Sequence, residues 1–246
     1  MMLRAVPFVL LLISCSQSQR EKPDYAAPVE NEKGEKVVRS FYTGGKTKSE
    51  MTLKDGKQTG PARSYDENGA LLLELQYVNG KRDGLSKRYF AGGKQVSQTT
   101  EYKANKMNGM QVRYRIDGSV MSEARYENDK PCTGLKEYLL DHSLKEKYPT
   151  IEVTMSKAID ANGSQTLTVR LSEKVKSVRF YTGQLDKNGC LTDDLYFLRF
   201  NDANKTATLP YYLHSAGQSE TINLIAVFQT LMGNTAIAQR RFRGGN

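Results

Sequence analysis

The sequence predicts an all-β protein with two parts, a β-meander of repeated units in a single sheet and a separate β-sandwich. Three observations lead to this prediction. Glycines recur with a period of 24 or 25 residues between residues 37 and 138. Beyond residue 149 the period is lost, and seven short strand-like segments alternate with turn signals. Only 38% of the 246 residues are hydrophobic, which indicates modest cores and solvated sheet surfaces.

Residues 1–14 have the features of a signal peptide. Arg4 makes the start positive, and residues 5–13 form an apolar run that is too short to span a bilayer, since a spanning helix needs about 20 residues. The run ends in Leu12-Ile13-Ser14-Cys15, which resembles the lipobox of bacterial lipoproteins. The resemblance implies cleavage before Cys15 and lipidation of its thiol. An uncleaved or ordinary secretory signal is the alternative.

Residues 15–36 are predicted to be the lipidated N-terminus and a flexible tether. The segment is polar, contains Pro23 and Pro28, and shows no alternation of apolar and polar residues. More than one acyl chain would hold the protein stably at a membrane. In bacteria with two membranes, lipoproteins with serine after the cysteine are commonly sorted to the outer membrane. We therefore expect lipid anchoring at the cell membrane or outer membrane, with the chain periplasmic or surface exposed.

The repeat covers residues 37–138. Its two glycine series are Gly45, Gly69, Gly93 and Gly118, and Gly60, Gly84, Gly109 and Gly134. An aromatic residue stands four positions before each glycine of the first series. Glycines in turns supply positive φ at low steric cost, so each unit predicts two short strands joined by turns. Neighbouring units must pair to form one continuous sheet, because a single unit cannot bury its aromatic side chains.

The repeated element is aromatic-x3-Gly-x4-Glu-x2-Tyr-x2-Gly-Lys-x2-Gly. It is clearest at Tyr65, Gly69, Glu74, Tyr77, Gly80, Lys81 and Gly84. This element resembles the MORN-repeat family, specifically the variant repeats of a bacterial antitoxin-like group. The chain has no tryptophan, which is frequent in the commoner MORN pattern, so we do not carry over the phosphoinositide- or membrane-binding roles of that family. An exported lipoprotein could not neutralise a cytosolic toxin, so the antitoxin role is not carried over either.

Recurring tyrosine and glutamate residues form the candidate binding surface. The candidate residues are Tyr65, Tyr77, Tyr89, Tyr102, Tyr114, Tyr126, Glu74 and Glu123. A ladder of tyrosines could stack against a glycan or peptide, and the glutamates could bind hydroxyls or cations. Alternatively, the tyrosines pack across strands and the glutamates pair with Lys or Arg. We favour this structural role, because the same residue types recur in every unit.

Residues 139–149 are predicted as a linker, with a polar stretch that could be helical, and residues 150–246 as the sandwich. The predicted strands are 150–159, 166–171, 175–181, 194–200, 207–213, 221–229 and 235–243. The apolar segment from Ile222 to Gln229, followed by Gly233-Asn234 and a last strand, resembles the final hairpin of bacterial immunoglobulin-like domains. The resemblance implies an immunoglobulin-like sandwich.

Cys132 and Cys190 lie in different predicted domains. An exported setting permits a disulfide, but this separation favours two unpaired thiols. A metal site built from them with His142 and His214 is not expected, and no sequence motif indicates a cofactor or a catalytic centre. We therefore expect the protein not to be an enzyme.

The net charge of +9 is spread along the chain and does not form one patch. No nucleic-acid-binding module is recognisable, so a nucleic-acid partner is not expected. The sequence favours a membrane-anchored envelope lipoprotein that acts as a noncatalytic binding or scaffolding module for a protein or glycan. The alternatives are an accessory carbohydrate-processing envelope protein and binding of lipid headgroups through the basic repeat sheet.

Overall fold

A computed structural model describes residues 24–25, 27–212 and 221–244. Within these residues the protein is all-β and contains no α-helix, which confirms the predicted fold class. A long antiparallel meander sheet is followed by two smaller sheets packed as a sandwich. No helix long and apolar enough to cross a membrane occurs in this part of the chain. The predicted signal peptide, Cys15 and His214 lie outside the described residues.

The repeat sheet has thirteen strands, and its main strand order follows the chain from one edge to the other. The strands are β1 (Asp24–Tyr25), β2 (Val29–Glu30), β3 (Lys36–Phe41), β4 (Thr47–Lys54), β5 (Lys57–Tyr65), β6 (Leu71–Val78), β7 (Lys81–Arg82), β8 (Gly84–Tyr89), β9 (Val96–Lys103), β10 (Lys106–Tyr114), β11 (Val120–Glu127), β12 (Lys130–Pro131) and β13 (Lys136–Glu137). Short loops join neighbouring strands, as the period of the glycines predicts.

The first edge of this sheet includes part of the predicted tether. Strands β1 and β2 both pair with β3, and Asn31 closes the turn between β2 and β3 by accepting the backbone N–H groups of Lys33 and Glu35. The low hydrophobicity of this segment predicted a flexible chain. Backbone pairing with the edge of the repeat sheet does not require apolar side chains, so the hydropathy pattern did not reveal it.

A β-bulge recurs in the repeat. The register shifts after Ser64, Arg88 and Arg113, so β6, β9 and β11 each hold one extra residue opposite Tyr65, Tyr89 and Tyr114. A bulge bends the strand and increases its twist. Side chains alternate between the two faces of a strand, so this register decides which repeated residues share a face.

The sandwich follows the repeat sheet. Its strands are β14 (Ile151–Ile159), β15 (Ser164–Leu171), β16 (Val178–Thr182), β17 (Tyr196–Phe197), β18 (Arg199–Asn201), β19 (Thr206–Tyr212), β20 (Thr221–Gln229) and β21 (Thr235–Arg243). The two sheets have the orders β14-β15-β19-β18 and β17-β16-β20-β21. Alternate residues of both sheets, including the fully buried Leu167, Val169 and Phe180, fill one hydrophobic core. This is the main core of the molecule.

The predicted linker contains a hairpin and no helix. Tyr138 and Leu144 form an isolated bridge, and the Lys145 amide donates to the Glu137 carbonyl. Asp141 closes the turn by accepting the Ser143 backbone N–H. The stretch that could be helical is therefore a turn, because local Asp–Ser hydrogen bonds favour one.

Cys132 and Cys190 form a disulfide, so the expectation of unpaired thiols was wrong. The two cysteines are directly opposite each other in an antiparallel bridge. Flanking hydrogen bonds, from Thr133 to Gly189 and from Leu191 to Pro131, hold the two segments side by side. The loop between β16 and β17 reaches back to the end of the repeat sheet, and the disulfide joins the two parts of the molecule there.

Candidate binding surface

One face of the repeat sheet carries a row of residues that lie directly opposite one another on successive strands, and all but Thr99 and Val112 are charged, with alternating sign. The row runs through Arg39, Glu50, Arg63, Glu74, Lys87, Thr99, Val112, Glu123 and Lys136. We call this side of the sheet the ion-pair face. The other side carries Tyr77, Tyr102 and Tyr126, each directly opposite a glycine, and we call it the tyrosine–glycine face.

The two glutamates of the predicted surface lie on the ion-pair face and are both paired. Glu74 accepts the Nε–H of Arg63 at 2.7 Å, and a carboxylate oxygen of Glu123 lies 3.5 Å from Lys136 Nζ. The hydrogen bond to Glu74 is the largest cause of the raised pKa of Arg63. These side chains are partly exposed, so the pairs contribute little to stability but offer both donors and acceptors to a ligand.

Tyr65, Tyr89 and Tyr114 fall on the ion-pair face, because each follows a residue whose side chain points to the other face. Tyr65 stands two positions after Arg63 on β5, so both side chains lie on the same side of the sheet. All three tyrosines are partly buried. The structure therefore brings three of the six predicted tyrosines together beside the charged row.

Tyr77, Tyr102 and Tyr126 lie on the tyrosine–glycine face. The Arg82 guanidinium lies 4.4 Å from the ring centroid of Tyr102, within the range of a cation–π contact. Tyr126 lies where the sandwich packs against this face, and burial raises its pKa even though Thr235 hydrogen-bonds its hydroxyl. The six tyrosines are thus divided between two faces and do not form one ladder.

A buried polar network joins the tyrosine–glycine face to the sandwich. The Glu137 carboxylate is fully buried and accepts hydrogen bonds from Thr230 and from the Asn234 amide, the latter at 2.7 Å. Lys145 supplies the balancing charge at 3.2 Å. The Asn234 side-chain oxygen in turn accepts from Ser122. Every charge and amide in this contact has a partner, as a buried polar network requires.

Arg113 extends the same contact along the sheet. Its guanidinium donates to the Met232 carbonyl at 2.7 Å and to Asn234 Oδ1 at 3.2 Å. The turn between β20 and β21 is held against the repeat sheet by these bonds. The sandwich therefore covers the last strands of the tyrosine–glycine face.

On the ion-pair side of the junction, Glu127, Asp186 and Cys190 place two carboxylates and a sulfur within 4.8 Å of one another. The Cys190 sulfur is bonded to Cys132 and cannot act as a thiolate ligand. Asp186 already accepts the backbone N–H groups of Asn188 and Cys190, each at 2.8 Å. We therefore assign this cluster a structural role in shaping the loop that carries the disulfide.

The predicted binding surface did not include Tyr138, although this residue continues the repeated aromatic series. Its hydroxyl donates to Glu123 at 3.3 Å, which places its ring on the ion-pair face. Tyr138 stands 24 positions after Tyr114, so the period contained the signal, but the other repeat residues are lost beyond this point. The partners of Glu137 in the sandwich carry no comparable sequence signal.

Tyr148 lies beside this network, and we expect it to affect stability at high pH. Burial, and then the nearby Glu137 carboxylate, raise its pKa from 10.0 to about 12. The raised pKa in the folded state contributes stability that is complete below pH 10 and is lost as the pH rises through 12. Thermal unfolding at pH 9 and pH 11 should therefore show a smaller loss of Tm for Tyr148→Phe than for the unchanged chain.

The control is Tyr212→Phe, since Tyr212 has an exposed side chain in the sandwich. This variant should lose as much Tm between pH 9 and pH 11 as the unchanged chain. Equal losses for all three proteins would contradict the assigned role of Tyr148.

Together these features define an all-β protein in which a repeat sheet is capped at one edge by a β-sandwich. Residues 58–79, which form most of the β5–β6 hairpin, match the family described as MORN repeat variant. The matched segment contains Tyr65, Glu74 and Tyr77, three of the residues that carry the resemblance in the sequence. No curated protein matches the chain.

Proposed function

We propose that the protein is a lipid-anchored envelope lipoprotein that acts as a noncatalytic binding or scaffolding module. The anchor is Cys15, and the binding surface is the repeat sheet. MORN repeats often serve as binding modules, and the match at residues 58–79 is compatible with that role. In this proposal the sandwich is an immunoglobulin-like domain whose last two strands, β20 and β21, form the hairpin that packs on the repeat sheet.

The observation that carries the proposal is the order of the strands. β1 and β3 lie at one edge of the repeat sheet, and β11 to β13 lie at the other, beside the sandwich. The path from β3 to β13 contains nine strands, so eight spacings of about 4.8 Å give a length of roughly 40 Å. A lipid at Cys15 would attach the first edge to the membrane and hold the sandwich away from it.

The distribution of contacts supports binding by the ion-pair face. The sandwich packs its β20–β21 turn on the tyrosine–glycine face through Arg113 and Glu137. The row from Arg39 to Glu74, at the other end of the sheet, is partly exposed. The ion-pair face therefore offers a wide surface for a partner at the membrane.

Lipid labelling in the native host tests the anchor. We expect Cys15→Ala to abolish incorporation of labelled fatty acid and to release the protein from the membrane fraction, because the lipid is attached to the sulfur of Cys15. Ser16→Ala is the matched control and should keep both the label and the membrane association. Persistent labelling and unchanged membrane retention in Cys15→Ala would overturn the proposal of a lipid anchor.

Crosslinking in intact envelopes tests the binding role separately. We expect a photoreactive residue at position 87, on the ion-pair face, to capture a specific envelope component. The same residue at position 212, in the exposed part of the sandwich, is the control. No specific product at position 87, or the same products at both positions, would contradict a binding role for the repeat sheet.

A further inference from the structure

The aromatic residues of the ion-pair face form a regular row across the whole repeat sheet. The row consists of Phe41, Tyr65, Tyr89, Tyr114 and Tyr138. Consecutive members lie two strands apart in the strand order, because one strand of the next unit stands between them. Two strand spacings correspond to about 10 Å, and the whole row to about 40 Å. Phe41, Tyr65, Tyr89 and Tyr114 each lie opposite a bulge, which occupies the same position in each unit.

The charged row runs directly beside these rings. Arg39 donates to Glu50 and Arg63 donates to Glu74, both at 2.7 Å, and the side chains of these four residues are between 16% and 44% exposed. The signs alternate from strand to strand between Arg39 and Lys87, and again between Glu123 and Lys136, so a uniformly charged polymer would meet repulsion on about half of these strands. A neutral ligand with many hydroxyl groups could instead donate to the carboxylates and accept from the guanidinium groups.

From these two rows we propose that the ion-pair face binds an extended, β-linked polysaccharide whose sugar rings stack on the aromatic side chains. In such a chain every second sugar presents the same face, and the disaccharide unit has a length close to the spacing of the rings. The inference rests on the proposed binding function and specifies its ligand as a glycan. The face has the length to contact several disaccharide units at once.

A proline-rich peptide is the main rival, because three residues of polyproline II also repeat every 9 Å or so. Such a peptide presents few N–H donors, since proline has none. It would leave the carboxylates of Glu50 and Glu74 without new partners while removing them from water. The hydrogen-bonding character of the charged row therefore favours the polysaccharide.

Tyrosine fluorescence can report binding, because the chain has 14 tyrosines and no tryptophan. The purified full chain would be titrated with the β-1,4-linked hexasaccharide of N-acetylglucosamine. The disaccharide tests the dependence on length, and α-1,4-linked maltohexaose tests the dependence on linkage. We expect the β-linked hexasaccharide to bind most tightly, since it contacts more than one ring.

Variants on the two faces locate the site. Tyr89→Ala and Tyr114→Ala should each weaken binding of the hexasaccharide about tenfold, which corresponds to about 1.4 kcal/mol, while Tyr89→Phe should bind like the unchanged chain. Tyr77→Ala, on the tyrosine–glycine face, is the matched control and should not weaken binding. Thermal unfolding of each variant verifies that it is folded. If the alanine variants are not folded, Tyr89→Leu and Tyr114→Leu, which keep apolar volume but remove the ring, replace them and should show the same loss.

Several results would overturn the inference. These are no binding of the β-linked hexasaccharide, equal affinity for the disaccharide and the hexasaccharide, or an equal loss in Tyr77→Ala. Binding of a proline-rich dodecapeptide in place of the sugars would identify a peptide ligand and reject the glycan. If the sugars fail but crosslinking at position 87 still captures a protein, the proposed binding function stands and only the glycan is rejected.

Discussion

Replacing Cys132 and Cys190 together by serine is expected to lower the free energy of unfolding by about 4 kcal/mol. The disulfide joins residues that are 58 positions apart, so it removes much of the conformational freedom of the unfolded chain between them. Both cysteines are buried, at 3% and 1% exposure, and serine would add two hydroxyls that need hydrogen-bond partners. Denaturant unfolding, followed by circular dichroism without reductant, measures the loss.

A reducing agent provides the control for this prediction. It should destabilise the unchanged chain by a similar amount and should leave the double serine variant unaffected. A loss below about 1 kcal/mol would show that the flanking backbone hydrogen bonds hold the two segments together without the disulfide. A double variant that loses stability on reduction would show that the effect does not arise from this bond.

The same pair of cysteines shows what the sequence could not predict. The period of the glycines predicted the repeat sheet, and alternation predicted the strands of the sandwich, because both are local patterns. The disulfide depends on a loop between β16 and β17 that packs against the end of the repeat sheet. The residues around Cys190 do not indicate what this loop packs against. The assignment of the two cysteines to separate domains therefore favoured unpaired thiols, which was wrong.

The tyrosines show a second limit of sequence reasoning. Tyr65 and Tyr77 are both repeated residues, and each recurs with the same period. Tyr65 stands five positions after Gly60 on the same strand, so the two positions are on opposite faces, while Tyr77 lies directly opposite Gly60. The division into two faces therefore follows from the register between strands. A repeat period alone does not determine the register between neighbouring strands, because bulges change that register.

The end of the repeat at Glu137 has a physical reason that is visible only in the structure. The strands of earlier units pair with the next unit, whereas β13, which contains Glu137, packs against the sandwich. Ser122 and Glu137, which are directly opposite each other, become the partners of Asn234 and Thr230. In the sequence Glu137 resembles any other charged residue of the repeat, but it is fully buried. The burial of residues at such a junction depends on contacts with the neighbouring domain, so it cannot be inferred from the repeat period.

We expect Glu137→Ala to destabilise the protein by about 3–5 kcal/mol, the cost of removing one partner from a buried ion pair. The substitution would leave the hydroxyl of Thr230 and the amide of Asn234 without their acceptor, and Lys145 without its counter-charge. Glu137→Gln should lose less, because its amide oxygen can still accept one of the two hydrogen bonds. Denaturant unfolding of both variants measures the loss of stability in each, so the two losses can be compared.

Glu152→Ala is the matched control, since Glu152 pairs with Arg170 at 2.6 Å on the surface of the sandwich. Side-chain exposures of 39% and 57% for this pair place its expected loss at about 0.2–1 kcal/mol. If Glu137→Ala lost no more than Glu152→Ala, the network would not be a determinant of stability. A large loss that Glu137→Gln fails to reduce would assign the effect to the charge beside Lys145, because the amide restores a hydrogen-bond acceptor but not the charge.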